Sequence, residues 1–106
     1  MEIITSHINA DFDSLASMIA AKKLYQNAEI VFPGSQERKV RDFIEVFEPV
    51  VIRRIKDIIP ADITKLIIVD TKRPARIGPL AELLRNKTMK VHIYDHHPFE
   101  KGDIRG

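Results

Sequence analysis

The 106-residue sequence predicts an α/β domain of three layers, α/β/α, built around a mainly parallel sheet. Two observations carry that expectation. Short β-branched apolar runs alternate along the chain with segments of helical period, which is the order that parallel crossovers produce. The run from Lys65 to Asp70 has consecutive rather than alternating apolar residues, Leu66-Ile67-Ile68-Val69, which suits a strand covered by helices on both faces.

Each element has its own local cause. Glu2-Ile3-Ile4-Thr5-Ser6 reads as a short buried strand because Ile3, Ile4 and Thr5 are β-branched. From Ser14 onward, Leu15, Met18, Ile19, Ala20 and Leu24 form an apolar stripe on a helix that ends near Gln26 and Asn27, with Lys22 and Lys23 suiting the dipole of its last turns. Ala28 to Phe32 is the next strand, and Pro33-Gly34-Ser35 stops it and offers an N-cap for a helix from Gln36 to about Phe47. Val50-Val51-Ile52 suggests a short edge strand, although Arg53, Arg54, Lys56 and Asp57 interrupt it. Pro60-Ala61-Asp62 then turns into the strand from Lys65 to Asp70. Arg76-Ile77-Gly78-Pro79 leads to a helix of roughly Leu80 to Asn86, and Val91 to Tyr94 is the last strand. The tail from Pro98 to Gly106 has no periodicity.

Composition narrows the function. A chain of this length holds one domain with a modest core. Its formal net charge is only +2, so any preference for phosphate must come from local clusters rather than from a polybasic surface. The absence of cysteine excludes disulfides and thiolate metal sites, leaving oxygen and imidazole ligands. The first thirty residues lack a signal-peptide pattern and no apolar run approaches the roughly 18 residues that span a bilayer. The expectation is a soluble, cytoplasmic protein that does not act at a membrane.

Three strand ends carry the chemistry. His7-Ile8-Asn9-Ala10-Asp11-Phe12-Asp13-Ser14 follows the first strand, Asp70-Thr71 follows the central one, and Asp95-His96-His97 follows the last. Ordinary roles exist for several of these residues: Asp13 or Ser14 can cap the first helix, and Asp70-Thr71 can form an Asx turn. His92, mid-strand, reads as structural. Jointly, however, His7, Asp11, Asp13, Asp70, Asp95, His96 and His97 are seven acid or imidazole groups at the carboxyl ends of three strands, where parallel α/β sheets place ligands. Carboxylates packed so closely repel unless cations neutralise them. Hard oxygen with some imidazole favours Mn²⁺ or Mg²⁺, with Co²⁺ or Zn²⁺ as alternatives, and a central carboxylate such as Asp70 can bridge two ions roughly 3.5 to 4 Å apart.

In order and approximate spacing, His7-x-Asn9-x-Asp11-x-Asp13, Val69-Asp70-Thr71 and Asp95-His96-His97 resemble the first three motifs of the DHH phosphoesterases. That superfamily includes RecJ-type nucleases, oligoribonucleases, exopolyphosphatases and family II inorganic pyrophosphatases. Arg76-Ile77-Gly78 resembles the Arg-x-Gly that often follows the second motif. Within the superfamily the sequence is most similar to the DHH domains fused to CBS and tRNA nucleotidyltransferase-like modules of the poly(A) polymerase family. The resemblance implies two Mn²⁺ ions, one held by His7 and Asp11 and the other by Asp13 and His96, with Asp70 bridging. It implies that His97 faces the substrate phosphate as an acid or a charge-stabilising group, with Asp95 and Asn9 supporting the site from behind. A fourth motif, an aspartate that completes the second ion's shell, and a DHHA1-type domain do not fit within this length, so the chain is expected to be the amino-terminal part of a DHH domain.

Lys72, Arg73 and Arg76 follow Asp70 closely and are the candidate phosphate contacts, Arg76 foremost because guanidinium binds phosphate bidentately. The expected activity is hydrolysis of phosphodiester or phosphoanhydride bonds in short oligonucleotides, nucleotide phosphates or polyphosphate by a metal-activated water. The rival expectation is a non-catalytic nucleotide- or metal-binding module that regulates the rest of a larger protein. On either reading the expected partners are a phosphorylated small molecule or short oligonucleotide and the parent's other domains, with self-association where apolar surface is left open. The 106 residues alone are expected to bind metal weakly and turn over little.

Overall fold

Alternate residues of the strands enter two different cores, and that alternation fixes three layers. A computed structural model describing residues 1–106 has four strands, β1 (Glu2–Thr5), β2 (Glu29–Ile30), β3 (Lys65–Val69) and β4 (Lys90–Tyr94), all parallel, in the order β2-β1-β3-β4. Ile4, Ile30, Ile67 and Val69 pack with Leu15, Met18 and Ala21 of helix α1 (Phe12–Leu24) and Val40 of helix α2 (Arg38–Phe47). Ile3, Leu66 and Ile68 pack the other way, against Ile77, Leu80 and Leu83 from a 3₁₀ segment, Pro74–Arg85. Ile3, Ile4, Ile67 and Ile68 are all fully buried, each stabilising the sheet by about 1.5–3 kcal/mol. The three-layer α/β architecture expected from the sequence is therefore present.

The strand order reverses between β1 and β3. From β1 the chain goes to one side through α1 to β2, then returns to the other side for β3 and β4. Such a reversal opens a crevice beyond the carboxyl ends of the two central strands, because the loops that leave them diverge. Glu2 to Thr5 pair in register with Lys65 to Ile68, so the residues that follow each strand emerge side by side. Ser6 Oγ fastens the two ends by donating to the Val69 carbonyl at 2.8 Å.

Three expectations are corrected. The segment Val50-Val51-Ile52 makes only a single bridge, Ile52 to Ile30, because β2 has two residues and offers no longer edge to pair with. The expected helix at Leu80 to Asn86 is part of a 3₁₀ run broken at Gly78 (φ +55°, ψ −136°), where Pro79 has no N–H with which to continue a helix. Ser35 does not cap α2. The cap position is Glu37, without a side-chain bond, while the Ser35 carbonyl accepts from Ala10 N at 3.3 Å and Glu37 N donates to Ala10 O at 2.9 Å. The turn after β2 thus braces the loop after β1. The tail without periodicity also has a place: Ile104 is buried and its N–H donates to the Lys72 carbonyl at 2.7 Å.

Gly78 needs to be glycine on two grounds. Its backbone lies where residues with a Cβ are strained, and a Cβ there would meet Pro33 O at 3.2 Å and Ile8 Cγ2 at 3.3 Å. Gly78→Ala is expected to lower stability by about 1–3 kcal/mol in urea denaturation. An unchanged midpoint would show that the Ile8 loop is not wedged there.

Candidate metal centre

The loop from β1 into α1 has to turn His7 and Asp11 toward each other within four residues. Asn9 provides the turn with φ +55°, a left-handed conformation that asparagine and aspartate adopt more readily than other side chains. Ile8 N donates to the Arg76 carbonyl at 2.7 Å, which pins the same loop to the segment after β3. Asp70 sits at the end of β3 with φ +65°, and its N–H donates to the Tyr94 carbonyl at 2.9 Å. Two left-handed residues therefore flank the crevice, each at a candidate site position, which is where backbone strain concentrates.

His7, Asp11 and Asp70 offer ligand atoms that all lie within 4.8 Å of one another. His7 is nearly buried, and its Nε2 is 3.4 Å from Asp70 Oδ2. Its Nδ1 lies 2.8 Å from the Ile8 carbonyl. A carbonyl only accepts, so the pattern assigns the hydrogen to Nδ1 and leaves Nε2 of the neutral ring as an acceptor. Between the three stands Ser14, whose Oγ is 2.8 Å from His7 Nε2, 2.9 Å from Asp11 Oδ1 and 3.0 Å from Asp70 Oδ2. Three acceptors share one hydroxyl hydrogen. A divalent cation relieves that deficit, and an imidazole with two carboxylates is a donor set that suits Mn²⁺, Mg²⁺ or Co²⁺. By this measure the residues fit a metal ion.

The helix cap falls on Asp11 rather than on Asp13 or Ser14. Asp11 Oδ1 accepts from Ser14 N at 2.9 Å. That backbone bond holds the Asp11 carboxyl below its ordinary value; burial opposes it, and the Ser14 hydroxyl and His7 reinforce it. Asp13 is exposed in the first turn of α1, favourable to the dipole, and is not brought to the His7 cluster.

Asp95, His96 and His97 form a second group with ligand atoms equally close together. His96 is exposed and stacks on His97, ring centroids 4.5 Å apart. His97 Nδ1 bonds Asp95, whose side chain is 1% exposed, and Lys72 Nζ lies 3.5 Å from the other Asp95 oxygen while also bonding the His97 carbonyl. Burial pushes the Asp95 carboxyl up, but the bond and charge of His97 together with Lys72 outweigh it and hold Asp95 below the usual range. Lys72 is itself buried. A cavity of about 270 Å³ joins the two groups, lined by Asp70, Arg73, Arg76, Asp95 and His97 among ten residues, none of them hydrophobic. Arg73 pairs with Glu100 at 3.0 Å, whereas Arg76 is exposed and holds no carboxylate. His92 is structural in placement, with Nδ1 2.7 Å from the Tyr25 hydroxyl.

Sequence reasoning weighed Ser14 only as a cap. Its spacing to Asp11 marks a helix start, but its contact with Asp70 depends on the register of β1 against β3, which no local pattern reveals.

A parallel sheet with acid and imidazole groups converging at its reversal point defines a class of ligand-binding α/β domain. The profile of the DHH family, N-terminal domain, matches residues 2–105, and the chain belongs to that family, as its three motifs suggested. It is 49% identical, over 107 aligned positions, to the A-adding tRNA nucleotidyltransferase of Geobacter sulfurreducens, a match that covers 99% of this chain and 12% of that protein. The relative's name agrees with the resemblance to DHH domains joined to tRNA nucleotidyltransferase modules. No helix is long and apolar enough to cross a membrane.

Asp11→Ala removes a cap and is expected to cost about 1 kcal/mol at pH 7 in the metal-free protein. The folded carboxyl titrates below its ordinary value of 3.8, so its contribution is present above that pH and fades as pH falls through the lower folded value. Urea denaturation at pH 7 and pH 3 should show the difference between wild type and variant shrinking in acid. A difference that grows in acid would contradict the cap.

Proposed function

We propose that the chain supplies the metal-binding face of a phosphoesterase active site that cleaves phosphodiester or phosphoanhydride bonds. One observation carries the reading: Asp70 belongs both to the His7 cluster and to the polar cavity that Arg76 and His97 line. His7, Asp11 and Asp70 hold the first divalent ion, taken to be Mn²⁺, with Mg²⁺ or Co²⁺ as substitutes. Asp70 is the residue placed to serve a second ion, which Asp13 and His96 would share. A bound ion supplies Lewis acidity, acidifying water and drawing charge from phosphoryl oxygens.

The protein's own groups do the rest. Arg76, free of any ion pair, binds a substrate phosphate through its planar fork. Arg73 lines the same cavity and is freed for an anion once it leaves Glu100, and Lys72, held by Asp95, adds positive potential to the wall. Asp95 holds Nδ1 of His97, which leaves Nε2 to pass a proton to the departing oxygen. A cavity without hydrophobic lining favours phosphate over a stacked base, consistent with short oligonucleotides, nucleotide phosphates or polyphosphate. The name of the similar protein adds tRNA phosphodiesters to that class, and the remaining 88% of such a protein would supply the fourth aspartate and the substrate-gripping domain.

A second reading rests on the exposed positions of Asp13 and His96, apart from the His7 cluster, and on a relative named for nucleotidyl transfer. It makes the chain a metal- or nucleotide-binding module that regulates attached domains. The test is to assay the chain and a longer protein that contains it, with and without Mn²⁺, on a dinucleotide, phosphoadenosine phosphate, polyphosphate and a short RNA. Hydrolysis in the longer protein should require Mn²⁺, fall at least about a hundredfold with Asp70→Ala, and show a raised KM with unchanged Mn²⁺ binding for Arg76→Lys. Wild-type rates in Asp70→Ala would sink the reading. Ligand binding without hydrolysis in either protein would favour the regulatory one.

A further inference from the structure

Ser14 is fully buried, and its hydroxyl contacts residues from three separate parts of the fold: His7 after β1, Asp11 at the cap of α1, and Asp70 after β3. Its backbone N–H already serves the helix by bonding Asp11. The hydroxyl is not needed for that cap, so its burial among three acceptors calls for another reason.

We propose that Ser14 is the positioning residue of the metal centre: its hydroxyl, donating its one hydrogen to Asp11 or to Asp70, bridges the two carboxylates and so sets the spacing at which they and His7 meet a divalent ion. The inference rests on the metal reading above. The contacts use Oδ1 of Asp11 and Oδ2 of Asp70, and leave Asp11 Oδ2 and Asp70 Oδ1 without a protein donor. Whichever carboxylate accepts the Ser14 hydrogen can therefore keep that bond and still offer lone pairs to an ion, since a carboxylate has about four acceptor sites. Without the Ser14 hydroxyl, no donor stands between two carboxylates that repel each other from positions 59 residues apart in sequence. A site whose ligands can spread binds less tightly and discriminates less by ion size. Mg²⁺ demands near-octahedral ligands at about 2.0–2.1 Å, whereas Ca²⁺ accepts looser shells at about 2.3–2.6 Å.

Ser14→Ala isolates the hydroxyl, because alanine keeps the N–H bond to Asp11, adds no volume and suits a helix. Mn²⁺ binding by the full 106-residue chain can be followed by the loss of the free-ion EPR signal, with Mg²⁺ and Ca²⁺ as competitors. Ser14→Ala should weaken Mn²⁺ by about tenfold to a hundredfold, in the range for residues that orient metal ligands, and should weaken Mg²⁺ more than Ca²⁺. Affinities equal to or tighter than wild type would overturn the proposal. So would an equal proportional loss for all three ions, which general loosening of the fold produces. Wild-type protein that binds none of them would instead refute the metal reading itself.

Discussion

The parallel pairing of β1 with β3 is the interaction on which the rest of the molecule depends. It joins residues 63 apart, buries Ile3, Ile4, Leu66, Ile67 and Ile68 on the two faces of the sheet, and sets His7 beside Asp70. A slip of one residue would exchange the two cores and send the wrong side chains into each. It would also carry Asp70 away from Ser14. The same hydrophobic pattern that selects the register therefore selects the geometry of the candidate centre, and core and site are specified together.

What holds the acidic groups in place is a set of backbone and side-chain hydrogen bonds around them. Ser6 locks the ends of β1 and β3, Asn9 turns the chain, and Ala10 is braced from both sides by Ser35 and Glu37. On the far side of the cavity the equivalent task falls to Lys72. Its ammonium group is held within the fold by Asp95 and the His97 carbonyl, and the tail is anchored to its backbone through Ile104. A buried lysine needs such partners because an unpaired charge there would cost several kcal/mol. Arg76 is left as the unpaired cation of the cavity wall, which is the condition for meeting an anionic ligand.

The sequence made the strands legible because Leu66 to Val69 and Ile3-Ile4 are apolar runs too short for helices, and the acid and imidazole residues that end them stood out as poor strand material. The family resemblance was legible for the same reason, since its motifs lie at those ends. Other features depend on contacts between distant segments. Val50 to Ile52 has the composition of a strand but no partner of adequate length, and Leu80 to Leu84 has the composition of a helix but begins at a glycine and proline that tighten it into 3₁₀ turns. The cap belongs to Asp11, two positions before Asp13 and three before Ser14, because the turn at Asn9 fixes where the helix can begin. Ser14, read only as a cap, and Lys72, read as a phosphate contact but found buried against Asp95 and the His97 carbonyl, show the same limit: a serine and a lysine announce their role only through what they touch.

The central claim is that His7, Asp11 and Asp70, rather than Asp95 with the exposed His96 and His97, form the first place a divalent ion binds. Imidazole ¹⁵N NMR of the chain during a substoichiometric Mn²⁺ titration tests it directly, since paramagnetic broadening falls steeply with distance from the ion. The account predicts that the His7 ring signals broaden first, ahead of His96 and His97, and that His92 broadens last. Broadening that begins at His96 and His97 while His7 stays sharp would contradict it.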